Sequence, residues 1–175
     1  MSNLILIDDK FDVICDIKYA SNNNVTKQKF YNNADCYLHK DAIDPLNKAI
    51  ELAAIQGYKI KIFDGFRPFE AQKFLFNKFP NGDFVSDPQT GAVPHCRGIA
   101  IDLTLVDQDL KELDMGTDFD DFTSKAYHGN LEISQEAQKN RFILLGIMMS
   151  AGFDFYDKEW WHYQLFNPRS YEIIK

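Results

Sequence analysis

The chain has 175 residues, 45% of them hydrophobic and 14% aromatic, which suits one compact domain over 1–175 with a sizeable core. A formal net charge of -7 and a pI near 5.0 argue against nucleic acid or an anionic membrane as a partner. No apolar run approaches the length of a membrane-spanning helix.

The first residues, "MSNLILIDDKFD", lack a basic start and meet acid after a few apolar positions, unlike a signal peptide. Cys15, Cys36 and Cys96 are odd in number and show no CxxC spacing. They argue against a disulfide framework and fit a reducing cytoplasm. Residues 41–56 read as a helix, with Ile43, Leu46, Ile50 and Ala53 or Ala54 in one stripe and Gly57 as its stop. "YKIKIFD", 58–64, alternates like a strand, and Pro68 opens a short helix through Lys78. "NGDFVSDPQTGAVP", 81–94, is a loop of turn formers.

The next run, to 105, reads as a strand. Ile99, Ile101, Leu103 and Leu105 point one way, and Ala100, Asp102 and Thr104 the other. "DMGTDFDDF", 114–122, is an acidic loop. Ser134 to Ala151 reads as a helix stopped by Gly152, and "EWWHYQLF", 159–166, as an aromatic strand. Interspersed helices and strands predict an α+β fold with a mainly antiparallel sheet flanked by helices.

An aspartate in a buried strand is costly without a partner. His95 precedes Asp102 by seven positions, and a metal ion is a partner they could share. His162, in the last strand, is a third candidate ligand. A His, His, Asp set leaves one tetrahedral position for water, the form of a catalytic zinc site. Glu159 is the candidate to take a proton from that water. Residues three apart in a straight strand face opposite sides, so Glu159 and His162 share one centre only if the chain turns near 159–160. Arg67, in "DGFRP", could steady an oxyanion with its planar fork. Each element alone has an ordinary structural explanation: an aromatic core around His162, a turn arginine paired with a surface acid, a solvated acidic loop, and a structural Cys96.

Taken together, "IKYA" at 17–20, "ELAAIQGY" at 51–58, "DGFRP" at 64–68, "HCRGIAIDLTL" at 95–105, "MGTDFD" at 115–120 and "EWWHYQL" at 159–165 resemble the D-alanyl-D-alanine dipeptidases of the vancomycin-resistance type. That zinc peptidase family is related in fold to D,D-carboxypeptidases and to the hedgehog signalling domain. The resemblance implies one Zn2+ per chain on His95, Asp102 and His162, with Glu159 as catalytic base and Arg67 as transition-state arginine. It implies that Asp120 receives the substrate's ammonium group and that Tyr19 lines the pocket. The substrate implied is a small D,D-dipeptide. One departure is Val93, where those relatives carry a serine that helps to hold the amine. Another is a shorter segment between Arg67 and His95.

Two other readings stand beside this one. A D,D-carboxypeptidase or endopeptidase on cell-wall peptides would want export and an open groove. A non-catalytic zinc-bearing interaction domain would have no use for both Glu159 and Arg67.

Overall fold

A computed structural model describes residues 3–174. Its centre is a five-stranded sheet in the order β2 (Val13–Cys15), β4 (Lys59–Asp64), β5 (Ala100–Val106), β7 (His162–Gln164), β6 (Asp154–Phe155). Only the β2–β4 pair is parallel, so the sheet is mainly antiparallel, as the sequence predicts. A separate antiparallel pair joins β1 (Leu4–Leu6) to β3 (Tyr37–His39).

The helices fall close to their predicted spans. α1 covers Ile43–Ile55, preceded by a 3-10 turn at Lys40–Ala42. α2 covers Phe69–Lys78, with Pro68 just outside it as the N-cap. α3 covers Gln135–Ala151. Ser134 caps it by accepting from the Ala137 N–H at 3.0 Å. Gly152, at φ 108°, ends it in a left-handed cap whose bonds run back to Met148 and Met149. Leu46, Ala49 and Ala53 of α1 and Leu144, Ile147 and Met148 of α3 join Ile60, Ile62, Ile101, Leu103 and Leu105 of the sheet in one apolar core. None of the described helices is long and apolar enough to cross a membrane.

Two predicted strands are shorter than the sequence suggests. Pro94–Arg97 forms a 3-10 turn, so His95 precedes β5. Of 159–166 only His162–Gln164 is strand, because the chain turns at Glu159: its N–H bonds the Tyr156 carbonyl, and its own carbonyl accepts from the His162 N–H. This is the turn that the spacing of Glu159 and His162 requires. All of β5 is buried, on both faces, so Asp102 depends on partners and not on solvent.

Candidate active site

Cross-strand register brings the acidic and basic groups together. Asp102 stands directly opposite His162 in the β5–β7 pair, and opposite Asp64 in the β4–β5 pair. His95 swings in from the turn before β5. Its Nδ1 lies 2.7 Å from the Gly65 carbonyl oxygen, which can only accept, so Nδ1 carries the proton and Nε2 presents a lone pair. Gly65 itself is forced by close approach: a Cβ there would lie 2.8 Å from the Tyr37 carbonyl oxygen. His162 has the reverse arrangement. Its Nε2 meets the Gln164 amide oxygen at 3.1 Å, which leaves Nδ1 as the free acceptor.

Three acceptor atoms therefore converge. His95 Nε2 lies 3.2 Å from His162 Nδ1 and 3.3 Å from Asp102 Oδ1, and the last two are 3.0 Å apart. Among the described residues this is the group of histidine and acidic side chains able to hold a metal ion. Three lone pairs at this spacing repel unless a cation sits between them. A tetrahedral dication with bonds of about 2.0–2.1 Å would hold its ligands roughly 3.3–3.4 Å apart, close to the spacing found. Each histidine also has its outer nitrogen fixed by a hydrogen bond, the support that metal-ligating imidazoles need.

The other predicted residues surround this cluster. Glu159 Oε2 lies 3.8 Å from His162 Nδ1. Arg67 donates from Nε and Nη2 to Asp64 Oδ2 at 3.0 and 2.8 Å, and its Nη2 is 3.7 Å from Asp102 Oδ2. Asp120, in the left-handed region at φ 61°, has both carboxylate oxygens within 3.2 Å of the Tyr19 hydroxyl. All seven residues named from the sequence line one cavity of about 360 Å³. Trp161, Phe84 and Phe122 supply apolar wall. Val93 is buried, takes φ 42°, and does not line the cavity.

The electrostatics are unbalanced. Three buried carboxylates, Asp102, Asp120 and Glu159, face one guanidinium across the cavity. Burial, and then the charge of Asp102, pushes the Asp120 carboxyl up to about 8. Burial, with Asp102 and Asp120, drives Glu159 well above the ordinary glutamate range.

Sequence reasoning missed Asp64, Tyr31 and Gln72. Asp64 is wholly buried and accepts from Arg67 and from the Tyr31 hydroxyl at 2.8 Å. Its place in "KIFDG" reads as an ordinary strand end. A bulge between Ile62 and Asp64 is what turns it to face Asp102.

The profile of the D-ala-D-ala dipeptidase family of peptidases matches residues 7–172. Similar proteins include the D-alanyl-D-alanine dipeptidase of Escherichia coli, 39% identical over 163 residues, covering 93% of this chain and 84% of that protein. The D-alanyl-D-alanine dipeptidase of Enterococcus faecium is 38% identical over 149 residues, covering 73% of this chain and 74% of that protein. Among solved structures, the LdcB LD-carboxypeptidase superposes with a TM-score of 0.56 over 97% of this chain and 71% of its own, at 19% identity, a likeness of fold.

Proposed function

The chain belongs to the D-ala-D-ala dipeptidase family of metallopeptidases, and from that premise we propose that it hydrolyses D-alanyl-D-alanine, or a close D,D-dipeptide, with one zinc ion. The observation that carries the metal is the convergence of His95 Nε2, Asp102 Oδ1 and His162 Nδ1 within 3.3 Å of one another. Those residues would hold the zinc, a dication that suits two imidazoles and a carboxylate and offsets the cavity's excess of acid. When bound, zinc supplies Lewis acidity, which eases ionisation of a water and polarises the scissile carbonyl.

The protein's own groups do the rest. Glu159, buried and 3.8 Å from His162 Nδ1, is placed to take a proton from the attacking water and give it to the leaving amine. Arg67 is held as a planar fork by Asp64, and it is oriented to meet negative charge that develops on the carbonyl oxygen. Asp120 at the cavity wall receives the substrate's ammonium group, and Tyr19 orients that carboxylate. A peptide extended at its amino end would lose the ammonium contact. The same reading places the enzyme in the cytoplasm, where Cys15, Cys36 and Cys96 stay as free thiols.

The test is release of free D-alanine from D-alanyl-D-alanine, compared with its N-acetylated form and with a longer stem peptide. The reading expects cleavage of the free dipeptide by far the fastest. Preferred cleavage of the stem peptide would favour the carboxypeptidase reading, and cleavage of none would favour a binding domain.

A further inference from the structure

Gln72, in the first turns of α2, touches Arg67 on one side and the 81–94 loop on the other. Its Oε1 accepts from Arg67 Nη1 at 3.0 Å, and its Nε2 donates to the Ser86 carbonyl at 2.6 Å. The side chain is 2% exposed, so neither bond is shared with solvent. Arg67 Nε and Nη2 are spent on Asp64, which fixes one edge of the guanidinium. Gln72 holds the remaining nitrogen and so sets the rotation of the fork about that edge.

Its anchor on the loop is firm. The Ser86 hydroxyl accepts from the Val93 N–H at 3.1 Å, and the Gly91 N–H bonds the Asp87 carbonyl at 2.8 Å. A Cβ on Gly91 would lie 2.2 Å from Ser86 Oγ, so the loop closes this tightly only with glycine there. Across the cavity, Asp83 of the same loop pairs at 2.5 Å with Lys158, the neighbour of Glu159. The Ser86 end of the loop is thus held beside Arg67, and Asp83, Phe84, Ser86 and Gly91 of the same loop line the cavity.

We propose that Gln72 is a positioning residue for the hydrolytic reaction, which aims the Arg67 guanidinium by tying it to the 81–94 loop. The inference rests on the role of Arg67 given above. An amide is suited to this task because it accepts from the arginine and donates to the carbonyl at the same time. A group that acts only where charge develops should affect turnover more than substrate affinity.

The experiment is a double-mutant cycle on the zinc-loaded enzyme with D-alanyl-D-alanine as substrate. Gln72→Met keeps length and volume and loses both hydrogen bonds. It should lower kcat about 10- to 100-fold with KM nearly unchanged, a part of the loss that follows removal of an oxyanion donor. In an Arg67→Ala background Gln72→Met should have no further effect, because the group it aims is gone. Gln72→Glu keeps an acceptor for Arg67 but sets a carboxylate oxygen against the Ser86 carbonyl, so the tie to the loop is lost and kcat should fall as it does in Gln72→Met. Full multiplication of the two single losses would overturn the proposal, as would wild-type kcat in Gln72→Glu. If Gln72→Met does not fold, Gln72→Glu takes its place in the cycle, with the same expected loss and the same absence of further effect in the Arg67→Ala background. Unchanged turnover in Arg67→Ala would overturn the reading of Arg67 and this inference with it. A loss in Arg67→Ala beside full activity in Gln72→Met would overturn only the inference.

Discussion

Arg67 and Arg141 are both buried, and their partners are of opposite kinds. Arg141, on α3, is wholly enclosed and donates to three backbone carbonyls: Met115 at 2.7 Å, Tyr127 at 2.8 Å and Lys125 at 2.9 Å. All three lie on the segment that carries Asp120, so Arg141 staples that segment to the helix. Burial pushes its pKa down to about 10. Arg67 donates to a carboxylate and an amide, and lines the cavity. Burial alone therefore does not mark a functional arginine. One serves backbone carbonyls of a neighbouring segment, and the other lines space that a substrate can enter.

The comparison breaks most sharply on the conservative change. Arg67→Lys keeps the charge and loses the fork. Its kcat per folded molecule should fall about 100- to 1,000-fold, the scale of a lost oxyanion donor, with the thermal midpoint falling less than in Arg141→Lys. Arg141→Lys should do the reverse. A lysine cannot reach three diverging carbonyls, and each one left bare costs about 1–3 kcal/mol. The midpoint should fall clearly while kcat per folded molecule holds. If the two variants behave alike, the distinction between the arginines is wrong.

Asp120 tests the segment that Arg141 holds. Asp120→Ala should raise KM for the free dipeptide about 10- to 100-fold, the worth of one charge-assisted hydrogen bond, and far less for an N-acetylated dipeptide. Equal shifts on both substrates would mean that Asp120 does not read the amine.

A further effect should appear in the pH dependence of metal-free protein. The Asp120 carboxyl is raised from an ordinary 3.8 to about 8, so the folded state holds its proton more tightly than the unfolded chain. That contribution to stability is complete below the unfolded value and is lost as pH rises through about 8. Metal-free protein should therefore lose stability over this window by up to about 1.4 kcal/mol per pH unit. Glu159 acts in the same direction. Thermal unfolding across the window should show a flatter slope for Asp120→Asn than for wild type. Equal slopes would contradict the assignment.

The features legible in the sequence are those fixed by local rules. Ser134 and Gly152 bound α3 because capping is a property of a few adjacent residues. The alternation in β5 places Asp102 on the face opposite Leu103. The seven residues carried over by resemblance meet in one cavity, as a shared site demands. What the sequence does not disclose depends on distant partners. β1, β2 and β3 are three residues each, too short for a periodic signal, and exist through their pairings. Asp64 faces the site because of a one-residue bulge, and period-two alternation is blind to such a shift. Gln72 sits in a helix whose sequence gives no reason to look past its apolar stripe, and its meaning comes from Arg67 and Ser86.

The central claim is an open metal site with Glu159 as its base, and Glu159→Gln tests it most directly. Glutamine keeps the shape of the side chain and removes its ability to take a proton. Zinc content and single-turnover release of D-alanine should be measured on the same preparation. The account predicts about one zinc per chain, because His95, Asp102 and His162 are intact, and turnover lower by about 100- to 10,000-fold. Full zinc with undiminished turnover would contradict Glu159 as base, and loss of zinc would make Glu159 a ligand and the site a closed, structural one.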